Sequence, residues 1–145
     1  MSTEQNKSVV SRWMDELFNK GNVSINDEIL APNYINHDPN LPEDNRSRDG
    51  FKQFVSMVRA AFSDFQLNCL DQVAEGDRVA TRFSMGGTHK GEFMGIAPTN
   101  QQSQITGISI ERIEDGKVVE TWVNWDAMGM MQQLGVIPPP GQSGG

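Results

Sequence analysis

Cysteine is almost absent from this sequence, which has only Cys69 among its 145 residues, so an intrachain disulfide is impossible. Long apolar runs are absent as well, since no stretch approaches the roughly 18 residues that a membrane-spanning helix needs. The N-terminal stretch MSTEQNKSVV lacks the basic and then apolar pattern of an export signal. From these absences we expect a cytoplasmic protein that has no membrane partner.

Basic residues are also few, because 12 lysines and arginines face 19 acidic residues and the formal net charge is −7. Without a basic stripe to displace counterions, nucleic-acid binding is not expected. The two histidines, His37 and His89, do not form an HxH or HExxH motif, and no cysteine pair accompanies them. The sequence therefore predicts neither a metal site nor a cofactor.

The length and the hydrophobic content of 37% are typical of one folded domain. We expect this domain to span residues 1–137. The remaining stretch, PPPGQSGG from Pro138 to Gly145, has nothing to bury, so we expect residues 138–145 to form a flexible Pro/Gly-rich tail.

Apolar residues recur at helical spacing in the first half of the chain. This pattern predicts helices over about Thr3–Lys20, Ser24–Ala31 and Asp49–Phe62, the second ending before Pro32. After Asp64 the apolar period changes to two, which predicts two hairpins with turns at Glu75–Asp77 and Glu114–Lys117. The fold class is therefore α+β, with helices covering one face of a curved, mainly antiparallel sheet. Such a sheet encloses a conical cavity suited to a small apolar ligand.

The strand after the first turn places Val79, Thr81 and Phe83 on an inward face that ends at His89. Gly86-Gly87 would form a bulge in this strand. His89 would then be either a pocket histidine or a histidine that is hydrogen-bonded in a loop at the cavity mouth.

Asp126 stands between the last strand and a final helix over Ala127–Leu134, and its role depends on the register of the second hairpin. A type I turn with Gly116 in a bulge would pair Ile113 with Lys117. This register, which we favour, places Ile108, Ile110 and Arg112 on one inward face together with Val118, Trp122, Asn124 and Asp126. A two-residue turn would instead place Asp126 with Ile105, Gly107 and Ser109.

In an apolar cavity, the pKa of Asp126 would be raised and its carboxyl could act as a general acid or base. The alternative is that Asp126 caps the final helix, which would stabilise it by roughly 1 kcal/mol.

Two stretches, GTHKGEFMGIAPT (residues 87–99) and GISIERIEDGKVVETWVNWDAMGMMQQLG (residues 107–135), resemble SnoaL-like polyketide cyclases of the nuclear transport factor 2-like superfamily. The resemblance extends over FNKGNVSINDEILAPNYINHDP (residues 18–39) and RDGFKQFVSMVRAAFSDF (residues 48–65). It implies a conical α+β barrel that forms a homodimer or homotetramer through the outer face of its sheet.

The resemblance further implies an enzyme that closes a ring of a polyketide-like ketone or ester by intramolecular aldol addition, without a metal or cofactor. Asp126 matches the acid/base position, and His89 is a second catalytic candidate that would donate a hydrogen bond. The expected substrate-binding residues are Trp13, Met14, His37, Phe54, Phe62, Ile110, Arg112, Trp122 and Asn124.

Other functions of the same cavity remain open at this point. An epoxide hydrolase would need an Asp-Arg-Asp array, and Arg112 has only glutamates near it in sequence. A ketosteroid-type isomerase would need a tyrosine as oxyanion donor, and Tyr34 is the only tyrosine. A third possibility is a module that binds an apolar small molecule without turning it over.

Overall fold

The computed structural model describes residues 2–138. Its helices and strands are α1 (Thr3–Met14), α2 (Ile25–Ile29), β1 (Leu30–His37), α3 (Arg48–Ala61), β2 (Gln66–Glu75), β3 (Arg78–Thr88), β4 (Gln102–Glu114), β5 (Lys117–Trp125) and α4 (Ala127–Gln133). A π-helical turn, Asp15–Asn19, follows α1, and a 3-10 turn, Glu43–Asn45, precedes α3. The predicted tail lies outside the described residues from position 139 onward.

Serine caps fix the starts of the two long helices. The Ser2 hydroxyl accepts a hydrogen bond from the Gln5 backbone N–H at 3.1 Å, and the Gln5 side chain accepts one from the Ser2 N–H. The Ser47 hydroxyl likewise accepts from the Gly50 N–H at the start of α3. Each bond satisfies a backbone donor that the first helical turn leaves unpaired. The predicted first helix is correct up to Met14, after which the chain continues as the π-helical turn.

The five strands form one sheet in the order β1-β5-β4-β3-β2. The β1–β5 pair is parallel and the other three pairs are antiparallel. The sheet does not close on itself, so β1 and β2 are its two edges. Pro32 lies in edge strand β1, where its missing N–H interrupts no central ladder. The predicted α+β cone with a mainly antiparallel sheet is thus confirmed.

The core lies between the helices and the inner face of the sheet. Trp13 of α1 contacts Phe51 of α3 and the buried ring of Tyr34, and Leu17 and Val55 belong to the same core. Among the described residues, no helix has both the length and the apolar character needed to cross a bilayer.

The predicted inward face of β3 is confirmed, because Val79, Thr81 and Phe83 are all buried. The bulge predicted at Gly86-Gly87 is wrong, since β3 pairs with β4 without a register shift from Arg78 to Thr88. The register shift lies instead in β2, between Cys69 and Asp71.

The second hairpin combines parts of the two predicted registers, because it has the two-residue turn of the alternative and keeps Ile110 on the same face as Trp122, as the favoured register did. Asp115 and Gly116 both have positive φ, 52° and 77°, and form a two-residue turn closed by the pair Glu114 and Lys117. A bulge then follows, because Arg112 pairs with Glu120 while Ile113 pairs with Val118, which leaves Val119 unmatched. Because Val119 has no partner, the pairing beyond it shifts by one residue, and Ile110 lies opposite Trp122.

The face that carries Ile108, Ile110 and Trp122 is nevertheless the outer face of the sheet. Ile108 is 56% exposed, whereas Ser109 and Glu111 on the opposite face are buried. The prediction of the inward face was therefore wrong, because it assumed that Ile108 and Ile110 would be buried together with Trp122. The buried set of this strand includes Ile105 and Ile113 as well as Ser109 and Glu111, so both faces of β4 mix apolar and polar residues.

Candidate active site

An apolar cavity lies between the helices and the inner sheet face. Its free volume is about 90 Å³, and the space counted out through its open mouth brings the total to about 840 Å³. Its wall includes Trp13, Met14, Phe54 and Phe62, which are four of the residues predicted to bind substrate. Its polar lining consists of Asn36, Asp38, Ser103, Ser109, Glu111 and Thr121.

Asp38 is the first of two carboxyl groups in the lining, and it is held by two donors. Its Oδ2 accepts a hydrogen bond from Trp125 Nε1 at 2.8 Å, and its Oδ1 accepts one from the Asn40 backbone N–H at 2.9 Å. Burial raises the pKa of the Asp38 carboxyl, and these donors together with the charge of Arg46 partly oppose that effect. Asp38 is thus a fixed carboxyl group with free lone pairs at the cavity wall.

Glu111 is the second carboxyl group in the lining, and it accepts fewer hydrogen bonds than Asp38 does. It is fully buried on β4, and its Oε1 accepts a hydrogen bond from the Ser109 hydroxyl at 3.1 Å. Its Oε2 has no hydrogen-bond partner among the described residues. Burial raises the pKa of Glu111 to about 8, so the carboxyl carries its proton at neutral pH.

Further unpaired polar groups surround Glu111. Thr121 pairs with Glu111 across the β4–β5 ladder, and Asn36 pairs with Thr121 from β1. Within residues 2–138, the Thr121 hydroxyl, Asn36 Oδ1 and the Tyr34 hydroxyl have no hydrogen-bond partner. The Thr121 hydroxyl is close enough to affect the ionisation of both Glu111 and Tyr34, although it meets hydrogen-bond geometry with neither. We refer to Asn36, Glu111 and Thr121, which all line the cavity, as the polar floor.

Asp126 does not line this cavity, so its predicted placement is wrong. The residue is exposed, and its Oδ1 accepts a hydrogen bond from the Gly129 N–H at 2.8 Å as the N-cap of α4. A Cβ added at Gly129 would clash with the Asp126 carboxylate, so glycine accommodates this cap. The side chain lies at a shallow depression formed with Arg82, Thr106 and Asn124 among others.

His89 is buried but lies outside the cavity lining. Its Nδ1 accepts a hydrogen bond from the Thr99 backbone N–H at 3.3 Å and lies 3.1 Å from the Thr99 hydroxyl. Its ring stacks on Phe62 at a centroid distance of 5.3 Å. This placement matches the loop histidine, which was one of the two predicted possibilities, rather than the pocket histidine.

The other predicted site residues lie on the outer face of the sheet, and for those on β5 the bulge at Val119 sets this facing. They are His37, Ile110, Arg112, Trp122 and Asn124. His37 Nε2 is 2.6 Å from Glu120 Oε2, and the His37 ring stacks on Trp122. Arg112 contacts Glu120 at 3.2 Å, so it is engaged away from the cavity. Their predicted placement in the substrate pocket was wrong.

The sequence interpretation missed the residues that give the cavity its polar chemistry. Ser109 and Glu111 occupy alternate positions of β4, and this polar alternation was the only available signal for them. Asp38 follows the end of β1 and gave no periodic signal. Among residues 2–138, no three histidine, cysteine or acidic side chains cluster so as to hold a metal ion.

Comparison with known proteins agrees with this architecture. The sequence model described as SnoaL-like polyketide cyclase matches residues 8–134. Nogalonic acid methyl ester cyclase of Streptomyces nogalater is 29% identical over 123 residues, which cover 84% of this chain and 92% of that protein. The structure of IdmH, a candidate polyketide cyclase of Streptomyces antibioticus, is 33% identical with a TM-score of 0.78, covering 90% of this chain and 99% of that one. AclR of Streptomyces galilaeus, a candidate hydroxylase, is 28% identical with a TM-score of 0.83, covering 95% of this chain and 89% of that one. This chain belongs to the SnoaL-like polyketide cyclase family.

Proposed function

We propose that this chain is a cofactor-independent cyclase that closes a ring of a polyketide-like ketone or ester by intramolecular aldol addition. The observation that carries the proposal is the pair of buried carboxyl groups, Asp38 and Glu111, in a cavity whose wall is otherwise mainly apolar. The similarity to a methyl ester cyclase supports the substrate class. In this proposal the acid/base role moves from Asp126 to Asp38.

Ring closure needs one base and one acid, and a single carboxyl group can serve as both. The Asp38 carboxylate removes a proton from the carbon beside one carbonyl group. The resulting enolate carbon forms a bond to the carbon of a second carbonyl group, whose oxygen becomes an alkoxide. Asp38 then returns the proton to that oxygen, so the product is an isomer of the substrate.

The surroundings of Asp38 suit this role. The Trp125 and Asn40 donors hold the carboxylate in one orientation and favour its charged form. Burial acts in the opposite direction and raises the pKa, which makes the carboxylate a stronger base than an exposed one. The apolar wall keeps water from protonating the enolate before the ring closes.

The test is turnover of nogalonic acid methyl ester, followed by liquid chromatography and mass spectrometry. The expected product has the mass of the substrate and a different retention time. We expect Asp38→Asn to lower kcat by roughly 100-fold or more, because general acid–base catalysis contributes at least that factor. The matched control is Asp126→Asn, which keeps a good helix cap and should cyclise at the wild-type rate.

The outcomes separate the alternatives. A folded Asp38→Asn protein with the wild-type rate would place the base elsewhere, and a loss of rate in Asp126→Asn alone would return the role to that residue. If the wild-type protein binds the ester but never converts it, the chain is a binding module of the same fold.

The outer sheet face supports a second, structural part of the proposal, namely a homodimer formed through that face. Ile35, Val73, Ile108 and Ile110 are all exposed there, and Val73 is 72% exposed. An apolar surface of this kind is typical of a protein–protein contact. Two copies related by a twofold axis would cover it mutually.

A further inference from the structure

The polar floor presents hydrogen-bonding groups that the fold itself leaves unpaired. Glu111 is completely buried, and Thr121 and Asn36 are almost as buried. Each has one polar atom without a hydrogen-bond partner among the described residues, and each side chain lines the cavity. Because a buried polar group without a partner costs roughly 1–3 kcal/mol, such a cluster on a cavity wall favours a ligand that pairs with it.

Glu111 differs from its neighbours in what it can offer to that ligand. Its Oε1 already accepts a hydrogen bond from Ser109, and its Oε2 is the free atom. Since the carboxyl is protonated at neutral pH, Oε2, which is unpaired in a side chain that lines the cavity, can carry an O–H donor. A ligand atom that meets this donor has to be an acceptor, and in an apolar molecule the common acceptor is a carbonyl oxygen.

We propose that Glu111 binds the carbonyl oxygen of the ligand by donating a hydrogen bond from Oε2, and that the cavity thereby selects ketones and esters over hydrocarbons of the same shape. The inference rests on the proposed function for the kind of ligand, but it concerns recognition and does not need turnover. In the ring-closing reaction the same donor would stabilise the oxygen on which negative charge develops. This role is distinct from the proton transfer that we assign to Asp38.

The test uses two probes that cannot cyclise, namely methyl naphthyl ketone and isopropenyl naphthalene. They differ only in that a CH₂ group replaces the carbonyl oxygen. The ratio of the two dissociation constants is measured by titration calorimetry in the wild-type protein and in Glu111→Leu. We expect the preference for the ketone to fall roughly tenfold in Glu111→Leu, because the ketone then loses its donor inside the cavity.

Two matched variants distinguish a hydrogen bond donated by Glu111 from one donated by the neighbouring Thr121 hydroxyl. Glu111→Gln has an amide N–H that can donate, so it should keep most of the preference for the ketone. Thr121→Val removes the neighbouring hydroxyl at constant shape and should change the preference less than Glu111→Leu. An unchanged ratio in Glu111→Leu, or a larger loss in Thr121→Val, would overturn the proposal.

A spectroscopic measurement covers the case in which Glu111→Leu does not fold. The infrared carbonyl stretch of the bound, isotopically labelled ketone should lie at lower frequency than in a hydrocarbon solvent. A frequency equal to that in hydrocarbon would overturn the proposal without any variant. A protein that shows the ketone preference but does not cyclise its ester would refute the proposed function and leave this inference standing.

Discussion

Glu111 should make the stability of this protein depend on pH in a direction opposite to that of most carboxyl groups. Its pKa is about 8 in the folded chain, against an ordinary value of 4.5 in an exposed one. At low pH both the folded and the unfolded chain hold the proton, so its ionisation does not lower the free energy of unfolding. As the pH rises from the lower of these two values to the higher, only the unfolded chain releases the proton. The unfolded state is then stabilised relative to the folded one.

The size of the effect follows from the two pKa values. Each tenfold change in proton affinity corresponds to about 1.4 kcal/mol, so the full displacement destabilises the fold by about 5 kcal/mol above pH 8. That is a large share of the 5–15 kcal/mol by which a typical domain is stable, so roughly a third or more of the stability is at stake. The Glu111→Gln variant cannot ionise and should not show this loss.

The assay is urea denaturation of both proteins at a series of pH values, with the difference in unfolding free energy plotted against pH. Asp38 also has a raised pKa, and Tyr34 and Cys69 lie near Glu111, but the comparison largely cancels their contributions because both proteins contain them. We expect the wild type to lose about 4 kcal/mol relative to Glu111→Gln between about pH 5 and pH 8. A difference that stays constant across this range would mean that Glu111 ionises as an exposed carboxyl does and would refute its burial.

Two other predictions concern positions away from the cavity. Asp126→Ala removes the bond to the Gly129 N–H, so it should lower the unfolding free energy by about 1 kcal/mol while the cyclisation rate stays at the wild-type value. Asp126→Asn should lose much less in the same denaturation assay, and equal losses in both variants would contradict a capping role. Ile108→Lys places a charge on the exposed outer face and should convert the expected dimer to a monomer in native mass spectrometry. The control is Glu43→Lys in the 3-10 turn, and a wild-type protein that is monomeric at all concentrations would contradict the dimer.

Much of the fold could be predicted because it follows from local patterns. The apolar stripe of α3 and the change to a period of two after Asp64 gave the element types in their correct order. Strand β1 pairs with β5, which is more than 80 residues away in the sequence, so local patterns carry no information about that pairing.

The inward face of β4 could not be predicted, because each of its two faces carries both apolar and polar residues. The face with Ile108 and Ile110 was taken as the inner one, because it joined these residues to Trp122. Ile108 and Ile110 instead face outward, and Glu111 faces the cavity. The exposed isoleucines and the buried glutamate are both exceptions to the rule that apolar side chains are buried and charged ones exposed.

The bulge at Val119 has a consequence for how proteins of this fold can diverge. Removing that residue would invert the phase of β5 from Glu120 onward, so that Trp122 and Asn124 would face the cavity while Thr121 and Trp125 faced outward. A deletion of one codon would then exchange the whole contribution of a strand to the binding site, including the donor to Asp38. Proteins descended from one ancestor with this fold could therefore acquire different cavity-lining side chains through single insertions and deletions. Counting substitutions between relatives does not reveal this route.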